Sequence, residues 1–98
     1  MLNITKNKEN DIVTIALDGR LDTTTAPQLE EELKALDDVK TLILDLENLV
    51  YVSSAGLRVF LSTQKRMNNV GELKLINVVG DVMDIFEVTG FSDILNIE

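Results

Sequence analysis

Residues 41–58 read TLILDLENLVYVSSAGLR, and this stretch decides the fold. Residues 41–46 form a short apolar run of the kind that a buried strand has. A short connection leads to Ser53 and Ser54, two small hydroxyl residues that open a segment expected to be helical over 54–68. A buried strand followed so closely by a helix is typical of an α/β fold.

The segments before this stretch predict a hairpin and a first helix. Residues 2–6 alternate apolar and polar side chains, and residues 12–17 are β-rich, with a polar turn between them and a loop at 18–22. Thr25 is predicted to cap the helix, with Gln28 completing a capping box. The apolar face of that helix consists of Ala26, Leu29, Leu33 and Leu36.

The segments after residue 68 continue the alternation of strands and helices. Residues 73–78 predict a strand, and residues 91–97 predict a closing segment at the sheet edge. A third helix, capped by Asp81 and ending at Gly90, is expected to lie between them. It would bury Val82, Ile85 and Phe86. This alternation predicts parallel pairing with right-handed crossovers.

Composition excludes several classes of function. The 98 residues are expected to form one domain, 1–98, and they contain no cysteine and no histidine, so thiolate metal sites and histidine-dependent catalysis are absent. The net charge of −8 disfavours nucleic acid. Neither a signal peptide nor a run of about 20 apolar residues is present, so we expect a cytoplasmic protein without membrane insertion.

Possible catalytic patterns are weak. Residues 62–65 match S-x-x-K but lack the companion motifs of penicillin-recognising enzymes. Asp45 and Glu47 share a face of the predicted strand, yet nothing nearby completes a metal site. No phosphate-binding loop is present, which also makes a nucleotide-binding domain a weak hypothesis. We therefore predict a non-enzyme with no cofactor and no metal.

The serine pair at 53–54 can be interpreted in two ways. Either hydroxyl can simply cap the helix. The same helix N-terminus also suits a phosphoserine, whose oxygens would meet unpaired N–H groups. On the helix, Leu57, Phe60, Leu61 and Met67 suit the core. The residues expected nearer the outside, on a face suited to docking another protein, are Ala55, Arg58, Val59, Ser62 and Arg66.

Four segments, in order, resemble STAS domains, and specifically bacterial anti-sigma factor antagonists. They are residues 19–22 (GRLD), 45–58 (DLENLVYVSSAGLR), 71–75 (GELKL) and 85–91 (IFEVTGF). The resemblance implies helices mainly on one face of the sheet. We therefore predict an α/β, STAS-like fold with a mixed, mostly parallel sheet of four to five strands that starts with an antiparallel hairpin.

The resemblance also implies a role. Such proteins bind an anti-sigma factor that is a serine kinase and so release a sigma factor. The kinase phosphorylates the antagonist, which ends binding, and a phosphatase restores it. The phosphoacceptor of the family falls on Ser54. Because Ser53 replaces the usual acidic residue and Ala55 the usual Ser or Thr, Ser53 is an alternative acceptor, and an unphosphorylated docking or scaffold module is the alternative function.

The predicted partner surface lies at the carboxyl ends of the parallel strands. The loop at Asp22 and Thr24 should lie beside the serine pair, since both follow such strand ends. Asp22 could instead only cap local backbone groups. The residues predicted to bind the partner are Asp22, Thr24, Ser53, Ala55, Gly56, Arg58, Val59 and Ser62. We expect a monomer.

Overall fold

The computed structural model describes residues 2–78 and 80–98. The strands are β1 (Leu2–Glu9), β2 (Ile12–Leu21), β3 (Thr41–Val52) and β4 (Glu72–Ile76). The helices are α1 (Ala26–Lys34), α2 (Ser54–Asn68) and α3 (Gly80–Thr89), followed by a 3-10 turn at Phe91–Asp93. The predicted second helix over 54–68 is confirmed.

The four strands form one sheet in the order β1-β2-β3-β4. β1 and β2 are an antiparallel hairpin, whereas β2, β3 and β4 run parallel. The predicted mixed sheet is therefore confirmed with four strands. The closing segment adds only a single parallel bridge, between Ile97 and Leu75, and not a full edge strand.

The core lies on one face of this sheet. In β2 over 13–17 and in β3 over 42–46 every second residue is buried, whereas the residues between them are half-exposed. α2 packs on β3 and β4, and α3 packs on β3. The rings of Phe60 in α2 and Phe86 in α3 meet edge to face with centroids 5.9 Å apart. The expectation that the helices lie mainly on one face is confirmed.

β2 and β3 are longer than predicted. The prediction that a short connection follows Leu46 is wrong, because β3 continues past this residue. β3 continues to Val52 because it still pairs with β2, as at Tyr51 and Arg20. Two register shifts interrupt this ladder, so the buried residues of β3 change from a spacing of two to a spacing of three at Leu46, Leu49 and Val52. Bulges hide the alternation by which a strand is identified in sequence.

The predicted capping box at the start of α1 is wrong. The side chain of Thr25 makes no cap hydrogen bond. Its hydroxyl instead accepts from the N–H of Asp22 (2.8 Å) and donates to the carbonyl of Arg20 (2.9 Å), and the Gln28 amide donates to the carbonyl of Leu2 (3.2 Å). The Asp22 carboxylate instead accepts hydrogen bonds from the turn that precedes α1, as described below.

Smaller differences occur near the C-terminal elements. β4 ends at Ile76, two residues early, because Asn77 adopts a left-handed conformation (φ 56°) that turns the chain out of the sheet. α3 begins at Gly80, so Asp81 lies in its first turn and does not precede it. Its predicted end at Gly90 (φ 81°) is confirmed. The side chains of Leu36, Leu61 and Ile85 are half-buried, whereas full burial was expected.

Candidate partner-binding site

The junction between β3 and α2 fixes Ser53 in place. Ser53 has extended backbone and caps α2, since its hydroxyl accepts from the N–H of Gly56 at 3.4 Å. Its own N–H donates to the carbonyl of Leu21 at 2.8 Å, and its carbonyl accepts from Leu57 at 2.9 Å. The half-buried Ser53 is therefore held by three hydrogen bonds.

Ser54 is the exposed neighbour. It is the first residue of α2, and its hydroxyl has no hydrogen bond within residues 2–78 and 80–98. The first turn of α2 contains no acidic side chain. Ser53 satisfies the Gly56 N–H, but the first turn of α2 offers no carboxylate of its own to balance the helix dipole.

Gly56 lets α2 start close to the strand ends. A Cβ at this position would lie 2.7 Å from Cγ of Leu21 and 3.1 Å from Cγ1 of Val52. Gly56 is buried, so its role in the predicted partner surface is to permit this packing, and it presents no side chain to a partner.

A groove of about 530 Å³ runs between α1 and α2. It brings together four of the predicted partner-binding residues on α2, which share one side of the helix. The lining residues on α2 are Ala55, Arg58, Val59, Leu61, Ser62 and Lys65, and those opposite are Thr23, Ala26, Pro27 and Glu30. We call this the α1–α2 groove.

The expectation that Val59 is exposed is wrong. Only 6% of Val59 is accessible to solvent, and it lines the floor of the α1–α2 groove. The reason is that α2 packs on α1 as well as on the sheet, so it has two buried sides. A helical wheel that assumes contact with the sheet alone leaves Val59 outside. Arg58 and Ser62 are exposed and Ala55 is half-buried, as expected of a surface.

The loop that precedes α1 lies beside the same corner. Leu21 pairs with Val52, which places Asp22 next to Ser53 as predicted. The Asp22 carboxylate accepts from the Thr24 N–H (3.0 Å), the Thr24 hydroxyl (2.7 Å) and the Thr25 N–H (3.2 Å). Asp22 therefore caps the local backbone, which was the alternative considered for it.

These hydrogen bonds perturb the acidity of Asp22. The Thr24 hydroxyl, with smaller contributions from the N–H groups of Thr24 and Thr25, holds the pKa of Asp22 below its ordinary value of 3.8, against a partial desolvation that raises it. An anion is stabilised here because donors converge on the charged form. Thr24 remains exposed beside it.

Two contacts near the site could not be predicted from the sequence. The exposed Arg66 of α2 donates to the carbonyls of Leu33 (2.7 Å) and Leu36 (2.8 Å), which ties α2 to the end of α1. The guanidinium of Arg20 lies 4.4 Å from the ring centroid of Tyr51, on neighbouring strands. Both depend on tertiary packing, which residue spacing does not reveal.

The carboxylate pair at Asp45 and Glu47 does not form a metal centre. Asp45 accepts from the N–H of Glu47 (3.1 Å) and from the Asn77 amide (3.0 Å). Across residues 2–78 and 80–98, no group of three or more potential metal ligands comes together.

In the same part of the chain, no helix has the length and apolar character needed to cross a membrane.

Comparison with known proteins identifies the family. The STAS domain model matches residues 3–98, nearly the whole chain. The chain belongs to the STAS domain family. The resemblance of the four sequence segments to STAS domains is thereby confirmed.

Individual relatives agree with this assignment. The STAS chain is 33% identical to the anti-sigma-B factor antagonist of Staphylococcus aureus (strain NCTC 8325 / PS 47), over 98% of this chain and 92% of the relative. Its fold matches an anti-sigma factor antagonist from Mycobacterium paratuberculosis with a TM-score of 0.90 at 18% identity, covering 99% and 85% of the two chains. It also matches the Bacillus cell fate determinant SpoIIAA in its phosphorylated form, with a TM-score of 0.77 at 21% identity over 98% and 91%.

Proposed function

We propose that this STAS domain is an anti-sigma factor antagonist. In the proposal it binds an anti-sigma factor serine kinase in the cytoplasm and so releases a sigma factor. Phosphorylation of Ser54 ends that binding, and a serine phosphatase restores it. The names of the relatives support the first part, and the phosphorylated form of SpoIIAA is a precedent for the second.

The observation that carries the proposal is the difference between the two serines. The hydroxyl of Ser53 is engaged as a cap, whereas that of Ser54 is exposed and accessible to a kinase. Ser54 is thus the better acceptor, and Ser53 holds the helix start in place. In this proposal the chain is the substrate of the kinase, and it has no histidine or cysteine for catalysis that depends on those residues.

The energetics allow a switch that spares the fold. A phosphate adds about −1.5 to −2 charges. At the start of α2 this should stabilise the helix by roughly 0.3–1 kcal/mol. In an interface the same charge costs several kcal/mol, and each 1.4 kcal/mol is about tenfold in affinity. The partner surface would comprise Ser54 with the exposed groups of the α1–α2 groove, Arg58 and Ser62, and Thr24 beside it.

Phosphosite mapping by mass spectrometry tests the proposal. The chain is incubated with ATP and the cognate anti-sigma factor kinase. We expect one phosphate, on Ser54, its loss in Ser54→Ala and its retention in the matched control Ser53→Ala. Modification of Ser53 would contradict the assignment.

The chain also departs from the family pattern in a way that favours a second candidate. Ser53 and Ala55 flank Ser54 where the family usually has an acidic residue and a hydroxyl residue. A constitutive docking or scaffold module would bind through the same face without modification. Tight binding of the kinase with no phosphate on either serine would favour this alternative over the switch.

A further inference from the structure

Two exposed valines lie on a surface separate from the α1–α2 groove. Val88 in α3 is 88% exposed, and Val50 in β3 is 59% exposed. Val50 lines a shallow depression of about 220 Å³ together with Asp81 of α3. Val88 lines a second one, of about 260 Å³, together with Asp84 and Ile85.

The two depressions follow one side of α3. Asp81, Asp84, Ile85 and Val88 are spaced three and four residues apart, so their side chains form a single stripe. The stripe begins beside β3 at Asp81 and continues to Val88 near the helix end. We call this surface the α3 strip. It consists of Glu47 and Val50 of β3 with Asp81, Asp84, Ile85 and Val88 of α3.

The apolar centre of the α3 strip lies within negative charge. Residues 75–98 contain no lysine or arginine, and they supply five carboxylates, which are Asp81, Asp84, Glu87, Asp93 and Glu98. Within residues 2–78 and 80–98, none of Glu47, Asp81, Asp84 and Glu87 forms a salt bridge. Glu98 pairs with Lys74, but the carboxylates of the α3 strip itself and of the adjacent Glu87 have no basic partner in the described part of the chain, so they leave this surface negatively charged.

We propose that the α3 strip is a second docking surface, which binds a basic amphipathic helix of a partner protein. Such a helix lays its apolar side on an apolar strip while its lysines and arginines meet the surrounding carboxylates. The same charges disfavour a second copy of this chain, because like carboxylates would face each other, and they disfavour an anionic membrane surface. The proposal does not depend on the phosphorylation of Ser54.

A titration followed by NMR tests the α3 strip. The probe is a synthetic helical peptide with leucine along one side and lysine elsewhere. We expect the amide signals of residues 47–50 and 81–89 to shift. Val88→Lys should weaken binding at least tenfold, and Asp84→Lys should weaken it less at high salt than at low salt. Because Val88 is on the surface, Val88→Lys should unfold at nearly the wild-type temperature.

Matched controls separate this surface from general attraction to an acidic protein. Val70 lies in the turn after α2 and is 49% exposed, so Val70→Lys makes the same change elsewhere and should alter affinity less than about twofold. Ser54→Asp should also bind the peptide as wild type does, so failure of the proposed switch would leave this result intact. Equal losses for Val88→Lys and Val70→Lys would overturn the proposal. So would signal changes at the α1–α2 groove instead, or changes at Val88 on concentrating the chain alone, since those indicate self-association.

Discussion

Ser53 and Ser54 show how adjacent residues of one type can have different roles. Extended backbone at Ser53 directs its hydroxyl to the N–H of Gly56, whereas Ser54 has entered the helix and faces solvent. The sequence predicts that a serine caps α2 but leaves open which one. The choice depends on backbone angles at the end of β3, which in turn depend on pairing with β2.

Removing each hydroxyl in turn should distinguish a cap from an exposed group. Ser53→Ala should lower the free energy of unfolding by about 0.5–1 kcal/mol, because the N–H of Gly56 loses its acceptor. Ser54→Ala should change it by less than about 0.5 kcal/mol. Urea denaturation of both variants checks this, and an equal loss for the two would contradict the assigned roles.

Asp22 should make stability depend on pH in the acidic range. Its pKa is lower in the folded chain than its ordinary value of 3.8, so its contribution is fully present above that value and is lost as the pH falls through the lower, folded pKa. Asp22→Asn keeps a capping side chain without a titrating group. The melting temperature of wild type should therefore fall relative to that of Asp22→Asn below pH 3.8. A difference in melting temperature between wild type and Asp22→Asn that does not change with pH would contradict this link between Asp22 and stability.

Gly56 should tolerate no added methyl group unless its neighbour shrinks. Gly56→Ala brings a Cβ to 2.7 Å from Leu21, and overpacking of this kind costs about 1–3 kcal/mol. In a Leu21→Ala background the clash is removed. A double-mutant cycle by chemical denaturation should therefore show a favourable coupling of about 1 kcal/mol or more. Strict additivity would mean that Gly56 is required for another reason.

At the scale of elements, the predictions that hold are those set by local chemistry. α2 begins at a serine cap and ends at Asn69-Val70-Gly71, and both ends follow from residue types. The end of β3 was missed because bulges change its burial period, and the start of α1 was missed because Thr25 bonds to Arg20 and Asp22 and not within the helix. The contact of α1 with α2 has no local signal at all, and it is this contact that buries Val59.

Arg66 should stabilise the pairing of these two helices. Arg66→Ala removes two charged hydrogen bonds, to the carbonyls of Leu33 and Leu36. Because one of these hydrogen bonds is exposed, the free energy of unfolding should fall by about 1–2 kcal/mol. Arg66→Lys keeps the charge but cannot donate to both carbonyls in the same geometry, so it should restore less than half of that loss. Thermal unfolding of the three proteins provides the measurement. Full restoration by lysine would show that charge alone suffices.

At the scale of the whole molecule, the antiparallel hairpin and the parallel pairing of the later strands could be predicted, because few topologies are compatible with a hairpin followed by alternating helices and strands. The same topology places the Asp22 loop and the serine pair at one end of the sheet. The α1–α2 groove and the α3 strip could not be predicted, since each is formed by elements distant in sequence. Separate positions for these two surfaces would allow two partners to bind one small domain.

The central claim is that a negative charge at residue 54 ends partner binding while the fold is retained. The most direct test is a calorimetric titration of the cognate anti-sigma factor kinase with the wild-type chain and with Ser54→Asp, both shown by circular dichroism to be folded. The account predicts a loss of at least tenfold in affinity for Ser54→Asp. Equal affinity of the two chains for the kinase would contradict it.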